Sequence, residues 1–366
     1  MSLQIMEGWD WLAGYALNDS YTQINRMGWV VLASPFSSAP YQRSTGRFGS
    51  GYALGNGGSG MGKVIRNIPS QPQEAIVGFA FTNTNDMLND DGPFVGFGRK
   101  DLDIGNADWP FMAVRMAGLG IIELIGIGGS IWLRSPVNTY TFNTWNYIQF
   151  RQRFDGANSQ SEVRLNGKTL WNLTSYAPWG TSLYDDTGVV SNLMVGQNGQ
   201  SNYFIDDLYV VDRAGTRNNN FLGNVRVKSS FTAADGDHID SLIGGTSPAA
   251  THWQSVQDVG GDDAQYVYSP TLNAYDLYKM QANIDDAIVF GVQGSVYAKQ
   301  DDATQMAIAG LMSSSGTITQ TPTDNTSQDY RSVRYLTETD PATSTDWTGS
   351  GANAAQIGFK IVTPNG

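Results

Sequence analysis

The stretch Ser161–Leu173, "SEVRLNGKTLWNL", decides the fold class because it encodes a complete β-hairpin. Apolar and polar residues alternate on both sides of the central pair Asn166-Gly167. A period of two is typical of strands with one buried face, and Asn-Gly favours a two-residue turn with positive φ. The stretch therefore predicts two antiparallel strands joined by a tight turn.

The same pattern continues through most of the chain. Short apolar or alternating runs, separated by clusters of Gly, Asn, Asp and Pro, fill residues 9–212 without an amphipathic helix between them. Strands of this length and spacing are typical of an antiparallel sandwich rather than of parallel βαβ units. The 42 glycines and the charged fraction of only 15% also favour strands and turns. We predict an all-β fold.

The length of 366 residues suits two domains, each with its own core. The polar stretch Arg213–Phe221, "RAGTRNNNF", is the best boundary, and a second set of strand-like runs follows it. We predict one β-sandwich over residues 1–213 and a smaller antiparallel β-sandwich over residues 214–366. Two stretches rich in Ser, Thr, Asn, Asp and Gly, Ser313–Gln328 and Thr337–Ala355, read as long surface loops.

Charge and composition exclude several partners. The formal net charge of -12 argues against a nucleic-acid partner, because such binding depends on clustered Lys and Arg. Without cysteine there is neither a disulfide nor a Cys-ligated zinc site. The apolar run Ala113–Leu133 is interrupted by Arg115, Glu123 and several glycines, which favours strands and a turn over a membrane span. The first residues lack the pattern of a secretory signal, so we expect no export.

Two adjacent acids, Asp206 and Asp207, lie in the strand-like run "YFIDDLYVVD". Side chains alternate across a strand, so Phe204, Asp206 and Leu208 are predicted on one face and Asp207 and Tyr209 on the other. Unless a bulge intervenes, the two carboxylates then point apart and cannot serve one substrate. We interpret one as an acceptor for main-chain amides or an arginine and the other as solvent-facing. Calcium binding with loop oxygens is the alternative.

A second group of acids, Asp235, Asp237 and Asp240, lies in "ADGDHID", which reads as a loop. Calcium binding there is an alternative, but the spacing and the terminal Glu of an EF-hand are missing. A solvated turn is the favoured interpretation, since Asp-Gly is common in turns.

Catalytic patterns are weak throughout the sequence. The stretch Gly55–Gly60, "GNGGSG", has the spacing G-x-G-x-x-G, and the overlapping "GGSGMGKV" has the spacing G-x-x-x-x-G-K of a phosphate loop. Val64 stands where such a loop needs Ser or Thr, so a flexible loop is the favoured interpretation. Glu123 and Glu162 are lone acids on their strands, whereas retaining glycoside hydrolysis needs two carboxylates facing one sugar. We predict no catalytic residue, no bound cofactor and no enzymatic activity.

Aromatic residues in loop-like stretches are the remaining hint of binding. Sugars stack their apolar faces on aromatic rings, but such rings also cover cores and subunit interfaces. Both interpretations stay open for the aromatic residues of "NADWPF" and "YAPWGTSLYDD", namely Trp109, Phe111, Tyr176, Trp179 and Tyr184.

Several motifs together resemble a known family. "EGWDWL", "TGRFGSGYAL", "TWNYIQFRQRFDGANSQSEVRLNG" and "YFIDDLYVVD" resemble the concanavalin A-like, laminin-G-like jelly roll. With "FLGNVRVKSSFTAADGD", "WQSVQDVGGDDAQYVYS" and "TDWTGSGANAAQIGFKIV", nearly the whole chain resembles structural proteins of tailed bacteriophages and prophages. The resemblance implies that the strand with Asp206 and Asp207 completes the first sandwich and that these acids are chiefly architectural.

The same resemblance implies a virion protein of the capsid or the tail, made and assembled in the host cytoplasm. Its expected partners are other virion proteins and further copies of itself, since virion components are usually symmetric oligomers. A receptor-binding adhesin for host-surface glycan is the alternative, and a polysaccharide-degrading enzyme is a third. Fold analogy alone does not separate them.

Overall fold

Strands dominate the computed structural model of the protein. It describes residues 2–10, 24, 27–33, 41–49, 52–56, 62–83, 93–98, 112–126, 129–155, 158–176, 189–197, 203–257, 264–285, 288–301, 306–321, 324–325 and 328–363. The predicted all-β class is confirmed.

The chain divides into two compact units. The first comprises Met1–Leu12, Ala16–Asn25 and Trp29–Val227, and the second Ala13–Tyr15, Arg26–Gly28 and Lys228–Gly366. The division falls between Val227 and Lys228, so the polar stretch Arg213–Phe221, which the sequence suggests as the boundary, lies within the first unit.

The first unit contains two antiparallel sheets. Its strands are β1 (Leu3–Glu7), β2 (Val30–Ala33), β3 (Tyr41–Thr45), β4 (Tyr52–Asn56), β5 (Gly62–Asn67), β6 (Glu74–Asn83), β7 (Pro93–Gly98), β8 (Met112–Ala117), β9 (Ile121–Gly126), β10 (Ile131–Arg134), β11 (Asn146–Arg153), β12 (Ser159–Leu165), β13 (Lys168–Tyr176), β14 (Asn192–Gln197) and β15 (Tyr203–Val211). An eight-stranded sheet has the order β13-β12-β11-β6-β15-β4-β3, with β1 also on β15. A seven-stranded sheet has the order β10-β9-β8-β7-β14-β5-β2.

The two sheets pack face to face around an aromatic and aliphatic core. Phe97 of β7 stacks on Phe150 of β11, with ring centroids 5.6 Å apart. Both rings are fully buried, as are Phe79 of β6 and Val95 of β7. Aligned sheets with interdigitating inner faces form a sandwich, so the antiparallel jelly-roll arrangement expected for the first domain is present.

The hairpin predicted from "SEVRLNGKTLWNL" is confirmed. Strands β12 and β13 pair antiparallel with Leu165 opposite Lys168. Asn166 and Gly167 have φ values of 48° and 82°, as a tight turn with positive φ requires. The Asn166 side chain also accepts a hydrogen bond from the Tyr147 main-chain N–H at 2.8 Å, which ties the turn to β11.

The apolar run Ala113–Leu133 belongs to the seven-stranded sheet. It contributes most of β8, all of β9 and the first residues of β10, so it forms strands as predicted. Within the described residues, no helix combines the length and the apolar character that crossing a membrane requires.

The second unit is also built on antiparallel strands. They are β16 (Thr232–Ile239), β17 (Leu242–Gly244), β18 (Tyr266–Tyr268), β19 (Tyr275–Met280), β20 (Val292–Ala298), β21 (Ala307–Ser314), β22 (Thr317–Gln320), β23 (Asp324–Asn325), β24 (Arg331–Thr337) and β25 (Gln356–Val362). The main sheet has the order β16-β19-β25-β21-β22, with β23 also on β21. The pairs β17-β18 and β20-β24 form two further small sheets.

The small sheets of the second unit cover the main sheet. Val267 of β18 and Val296 of β20 pack against buried Tyr278, Ile308 and Phe359 of the main sheet. This layering agrees with the smaller antiparallel sandwich that the sequence predicts.

Two predictions of long surface loops are only partly right, because most described residues of both stretches are exposed or half-buried but each stretch also contains structure that the sequence did not predict. Residues of Ser313–Gln328 form a hairpin of β21 and β22, with Ser315 and Gly316 at positive φ in its turn. In Thr337–Ala355, the side chain of Trp347 is 2% exposed and belongs to a core cluster. The same stretch contains a short helix, α2 (Gly349–Ala354), and helix α1 (His252–Ser255) lies earlier in the second unit. Composition showed neither the strand pairing of the first stretch nor the burial of Trp347 in the second, because both depend on contacts with other strands.

Candidate functional site

A β-bulge lies at the two adjacent acids of β15. Asp206 pairs with Ala80 of β6, and Tyr209 pairs with Gly78, so β15 has one more residue than β6 between these pairs. Asp207 has a φ of 51°. A bulge of this kind reverses the alternation of side chains beyond it. Asp206 and Tyr209 therefore share one face, and the prediction that they lie on opposite faces is wrong.

Asp206 is 6% exposed and accepts two main-chain hydrogen bonds. The Arg47 N–H donates to its Oδ2 at 2.8 Å, and the Asp207 N–H donates to its Oδ1 at 2.8 Å. Burial, and after it the charge of Asp207, raise the pKa of Asp206 to about 7, although the two amide hydrogen bonds act to lower this pKa.

Asp207 is 2% exposed and contacts the same arginine. The Arg47 guanidinium donates to Oδ2 at 3.2 Å, and the Val227 N–H donates to Oδ1 at 2.8 Å. Burial raises the pKa of Asp207, against the lowering effect of the Val227 N–H and of Arg47. The prediction that one carboxylate faces solvent is wrong, because Asp206 and Asp207 are both buried and both engage Arg47.

This arrangement bears on the calcium alternative for the two acids. Each of the four carboxylate oxygens accepts a hydrogen bond, and Arg47 supplies the compensating positive charge. A calcium ion at Asp206 and Asp207 would compete with the Arg47 guanidinium and with main-chain N–H groups for these oxygens. Among the described residues, no group of three or more His, Cys, Asp or Glu side chains could hold a metal ion.

Asp235 and Asp237 lie in strand β16, so the prediction of a loop at "ADGDHID" is wrong. Asp235 Oδ1 accepts the Trp253 N–H at 2.7 Å, at the start of helix α1. Asp237 exchanges two hydrogen bonds with the Gln356 side chain, at 2.8 Å and 2.6 Å. The two acids thus have separate partners, and the register shift of β16 against β19 explains why a bulged edge strand reads as a turn.

Two lone acids of the first unit are centres of ion pairs. Glu123 is fully buried and accepts hydrogen bonds from Arg115 Nε and Arg134 Nε, each at 2.6 Å. Glu162 is paired with Arg151 and Arg164. Arg115 lies opposite Glu123 in the pairing of β8 and β9, so the sheet register brings these two side chains together.

Sequence reasoning missed a further buried acid, Asp276 of β19. Its Oδ1 accepts the N–H groups of Asp240 and Ser241, and its Oδ2 accepts the hydroxyls of Ser241 and Tyr278. The sequence feature that could have indicated this buried acid is its position between apolar and aromatic residues in "AYDLYKM". Burial and the adjacent Asp276 carboxylate raise the pKa of the Tyr278 hydroxyl, which therefore remains a donor.

The structure describes little of the five aromatic residues that the sequence suggests as contacts for a glycan or a subunit interface. Trp109, Phe111, Trp179 and Tyr184 lie outside the described residues. Tyr176 is the last residue of β13, and its side chain is likewise outside the description. Their predicted contact with a glycan or a subunit interface stays a prediction.

An exposed aromatic surface lies elsewhere, on the small sheet of the second unit. Leu242 of β17 pairs with Tyr268 of β18, and these side chains are 53% and 46% exposed. The rings of Tyr266 and Tyr268 lie 6.1 Å apart, and both approach Gly244, where an added Cβ would lie 2.6 Å from Tyr266. We call Leu242, Gly244, Tyr266 and Tyr268 the tyrosine face. The sequence did not single it out because the run "YVYS" is too short to show which face is exposed.

Comparison with known proteins finds partial likenesses only. No family model matches the sequence, and no curated protein matches it. Among solved structures, a sialidase is 16% identical over 50% of this chain and 17% of its own, with a TM-score of 0.35. The Ca²⁺/Man3GlcNAc-bound exoplasmic/lumenal domain of VIP36 is 13% identical over 50% and 83%, with a TM-score of 0.32. The carbohydrate-binding module CBM66 from Bacillus subtilis is 10% identical over 51% and 97%, with a TM-score of 0.31. Likenesses this weak transfer no ligand or activity to this chain.

Proposed function

We propose that this protein is a non-enzymatic structural component of a tailed-bacteriophage virion, carried on the capsid or the tail. It assembles in the host cytoplasm with other virion proteins and with further copies of itself. The resemblance of the sequence to phage and prophage structural proteins supports this proposal. So does the way in which the buried acids of the first unit are used.

The observation that carries the proposal is that these acids are partnered within the fold. Asp206 and Asp207 engage Arg47 and main-chain amides, while Glu123 and Glu162 engage arginines of neighbouring strands. A catalytic carboxylate pair must instead present both groups to one substrate. Acids that hold strands and segments in register have an architectural role, which is the role a virion scaffold needs.

The test is electron cryomicroscopy of intact particles induced from the host that carries the gene, combined with mass spectrometry of the purified particles. We expect this chain in symmetric copies, in contact with other capsid or tail proteins. A chain that is abundant in the lysate but missing from the purified particles would contradict the proposal.

A second candidate function, binding of host-surface glycan, is favoured by the tyrosine face. Two partly exposed rings that flank a glycine form a shallow apolar platform, with phenol hydroxyls able to bond to a ligand. Sugars combine an apolar face with hydroxyls and match such a platform.

A glycan array followed by titration calorimetry tests this second function. We expect Tyr268→Ala to abolish glycan binding and Leu272→Ala to retain it, since Leu272 is similarly exposed, at 45%, but is not part of the tyrosine face. Equal binding by both variants would place any glycan elsewhere on the protein.

A further inference from the structure

Residues 224–227 lie at the bulge of β15, where the chain leaves the first unit. Val227 is the last residue of this unit, and residues 224–227 contain neither a helix nor a strand. The chain turns directly before them, because Gly223 has a φ of 84° and the Val225 N–H donates to the Gly223 carbonyl at 3.1 Å. We call residues 224–227 the exit segment. Since the exit segment is not part of a strand, side-chain contacts position it.

Asp207 and Arg47 make these contacts. Asp207 Oδ1 accepts the Val227 N–H at 2.8 Å, and Asp207 Oδ2 accepts from the Arg47 guanidinium at 3.2 Å. The same guanidinium donates to the Asn224 Oδ1 at 2.6 Å and to the Val225 carbonyl at 3.3 Å. Asp207 therefore holds one end of the exit segment directly and the other end through Arg47.

The site contains two buried carboxylates and one guanidinium at bonding distance. Asp206 is 6% exposed and Asp207 is 2% exposed. Asp206 accepts main-chain N–H groups from Arg47 and Asp207, whereas the guanidinium charge pairs with Asp207. A buried charge without a paired counter-charge is unfavourable. The site with the exit segment in place therefore favours one proton on this pair of acids.

Other charged and titratable groups surround the two acids. They are Glu7 of β1, which lies opposite Leu208, Asp10, Arg47, Tyr147 of β11 and Arg226 of the exit segment. Burial raises the pKa of both acids, and the Val227 N–H, Arg47 and Arg226 lower that of Asp207. Burial, the charge of Asp207 and, to a smaller extent, Asp10 raise the pKa of Asp206 to about 7. Asp206 therefore loses its proton close to neutral pH.

We propose that Asp206, Asp207 and Arg47 form a clasp that holds the exit segment and loosens as pH rises towards neutral. Release of the segment frees Asp207 Oδ1 and the Arg47 guanidinium for water, which solvates the charged forms of both acids. The closed clasp therefore binds the proton more tightly than the open clasp. Opening is least favourable below the ordinary pKa of an aspartate and becomes more favourable until pH passes about 7.

Leu222, on the other side of the turn at Gly223, provides an internal reference. Its N–H donates to the Tyr209 hydroxyl at 3.0 Å and not to a carboxylate. Burial raises the pKa of this hydroxyl to about 12, so it stays uncharged near neutral pH. The clasp therefore predicts that pH changes the exposure of the Val227 N–H to solvent and leaves that of the Leu222 N–H unchanged.

The test is amide hydrogen exchange of the full chain, followed by NMR from about pH 5 to pH 8, with each rate divided by the intrinsic rate at the same pH. We expect the corrected rate of the Val227 N–H to rise at least about tenfold over this range and that of Leu222 by less than about twofold. Asp206→Asn removes the titrating group and should abolish most of the rise at Val227. Asp301→Asn makes the same chemical change at an exposed position of the second unit and should retain it.

The measured quantity is the change with pH, so a constant loss of one main-chain hydrogen bond in Asp206→Asn does not affect the result. Should this variant fail to fold, the two amides of the wild type still decide the question. Equal pH dependence at Val227 and Leu222 would overturn the clasp, because the opening would not be local to the exit segment. A Val227 rate that does not rise with pH, or a rise that Asp206→Asn retains in full, would also overturn it.

Discussion

Arg47 engages both Asp206 and Asp207, and its ion pair with Asp207 is buried at the bulge of β15. The Arg47 Nη1 lies 3.2 Å from the Asp207 Oδ2, and the two side chains are 11% and 2% exposed. The Arg47 guanidinium therefore pairs with Asp207, whereas Asp206 accepts only main-chain N–H groups, one of them from Arg47. This imbalance of charge makes the bulge sensitive to pH.

The stability of the protein should fall as pH rises towards neutral. Burial raises the folded-state pKa of Asp206 to about 7, and the charge of Asp207 adds to that rise, as does Asp10 to a smaller extent. Since the native state binds the proton more tightly than the unfolded chain, the stabilisation is complete below the ordinary pKa of an aspartate and is lost as pH rises through about 7. We expect the free energy of unfolding to fall by on the order of 1–3 kcal/mol between about pH 5 and pH 8, measured by urea unfolding.

Asp206→Asn is the informative variant for this pH dependence, because it removes the titrating group and keeps the size of the side chain. The dependence of stability on pH should become flatter in this variant. Asp285→Asn, at a side chain that is 89% exposed, should leave it unchanged. An unaltered slope in Asp206→Asn would assign the pH dependence to other groups.

Glu123 should be the most costly acid to remove from the first unit. Glu123→Ala leaves Arg115, which is 4% exposed, without its buried partner. Breaking a buried pair in this way costs about 3–5 kcal/mol. Arg134→Ala, at a side chain that is 41% exposed, should cost about 1 kcal/mol or less because water solvates the site. Thermal and urea unfolding of the two variants measure the difference, and equal costs would refute this account.

Gly78 and Tyr209 should be energetically coupled. Gly78→Ala places a methyl group 2.2 Å from the Tyr209 Cε1, so the ring must move and loses its contact with Gln149. We expect a loss of about 1–3 kcal/mol from overpacking. In a chain that already carries Tyr209→Ala, the same glycine substitution should cost much less. A double-mutant cycle of urea unfolding measures this coupling, and additive costs would exclude it.

A substitution in the turn at Asn166-Gly167 should lower the stability of the protein by a smaller amount. Gly167 has a φ of 82°, and no atom lies within 4 Å of an added Cβ, so Gly167→Ala meets backbone strain and no clash. We expect a loss of about 1 kcal/mol. Lys168→Ala, at the next position, should change stability by less than half of this. Chemical denaturation of both variants checks the comparison, and a loss above about 3 kcal/mol would indicate a clash that the turn does not have.

Local patterns made most strands of the first unit predictable. The alternation in "SEVRLNGKTLWNL" and its Asn-Gly pair depend on neighbours in the sequence, and β12, β13 and their turn form as predicted. The prediction of two polar loops was only partly right because the structure there depends on residues that are distant in the sequence. Trp347 is buried by residues distant in the sequence, so composition alone could not reveal its role.

The candidate site was only half predictable. The acids Asp206 and Asp207 were identifiable as an anomaly in an apolar strand, and an arginine was an expected partner. The bulge that places both acids near Arg47 was not predictable, because the extra residue of β15 is defined only by the pairing of β15 with β6. The path of residues 219–227 depends in the same way on Arg47, Arg151 and Arg164, which lie far from this segment in the sequence.

The sequence by itself determined the all-β class, the tight hairpin turn and the absence of disulfides, since these depend on residue type and on spacing of a few residues. The tertiary structure alone decided the faces of Asp206 and Asp207, the burial of Glu123 between two arginines and the path of residues 219–227. The physical reason is that hydrogen bonds, ion pairs and burial between distant segments depend on strand register. A shift of one residue reverses every side chain beyond it.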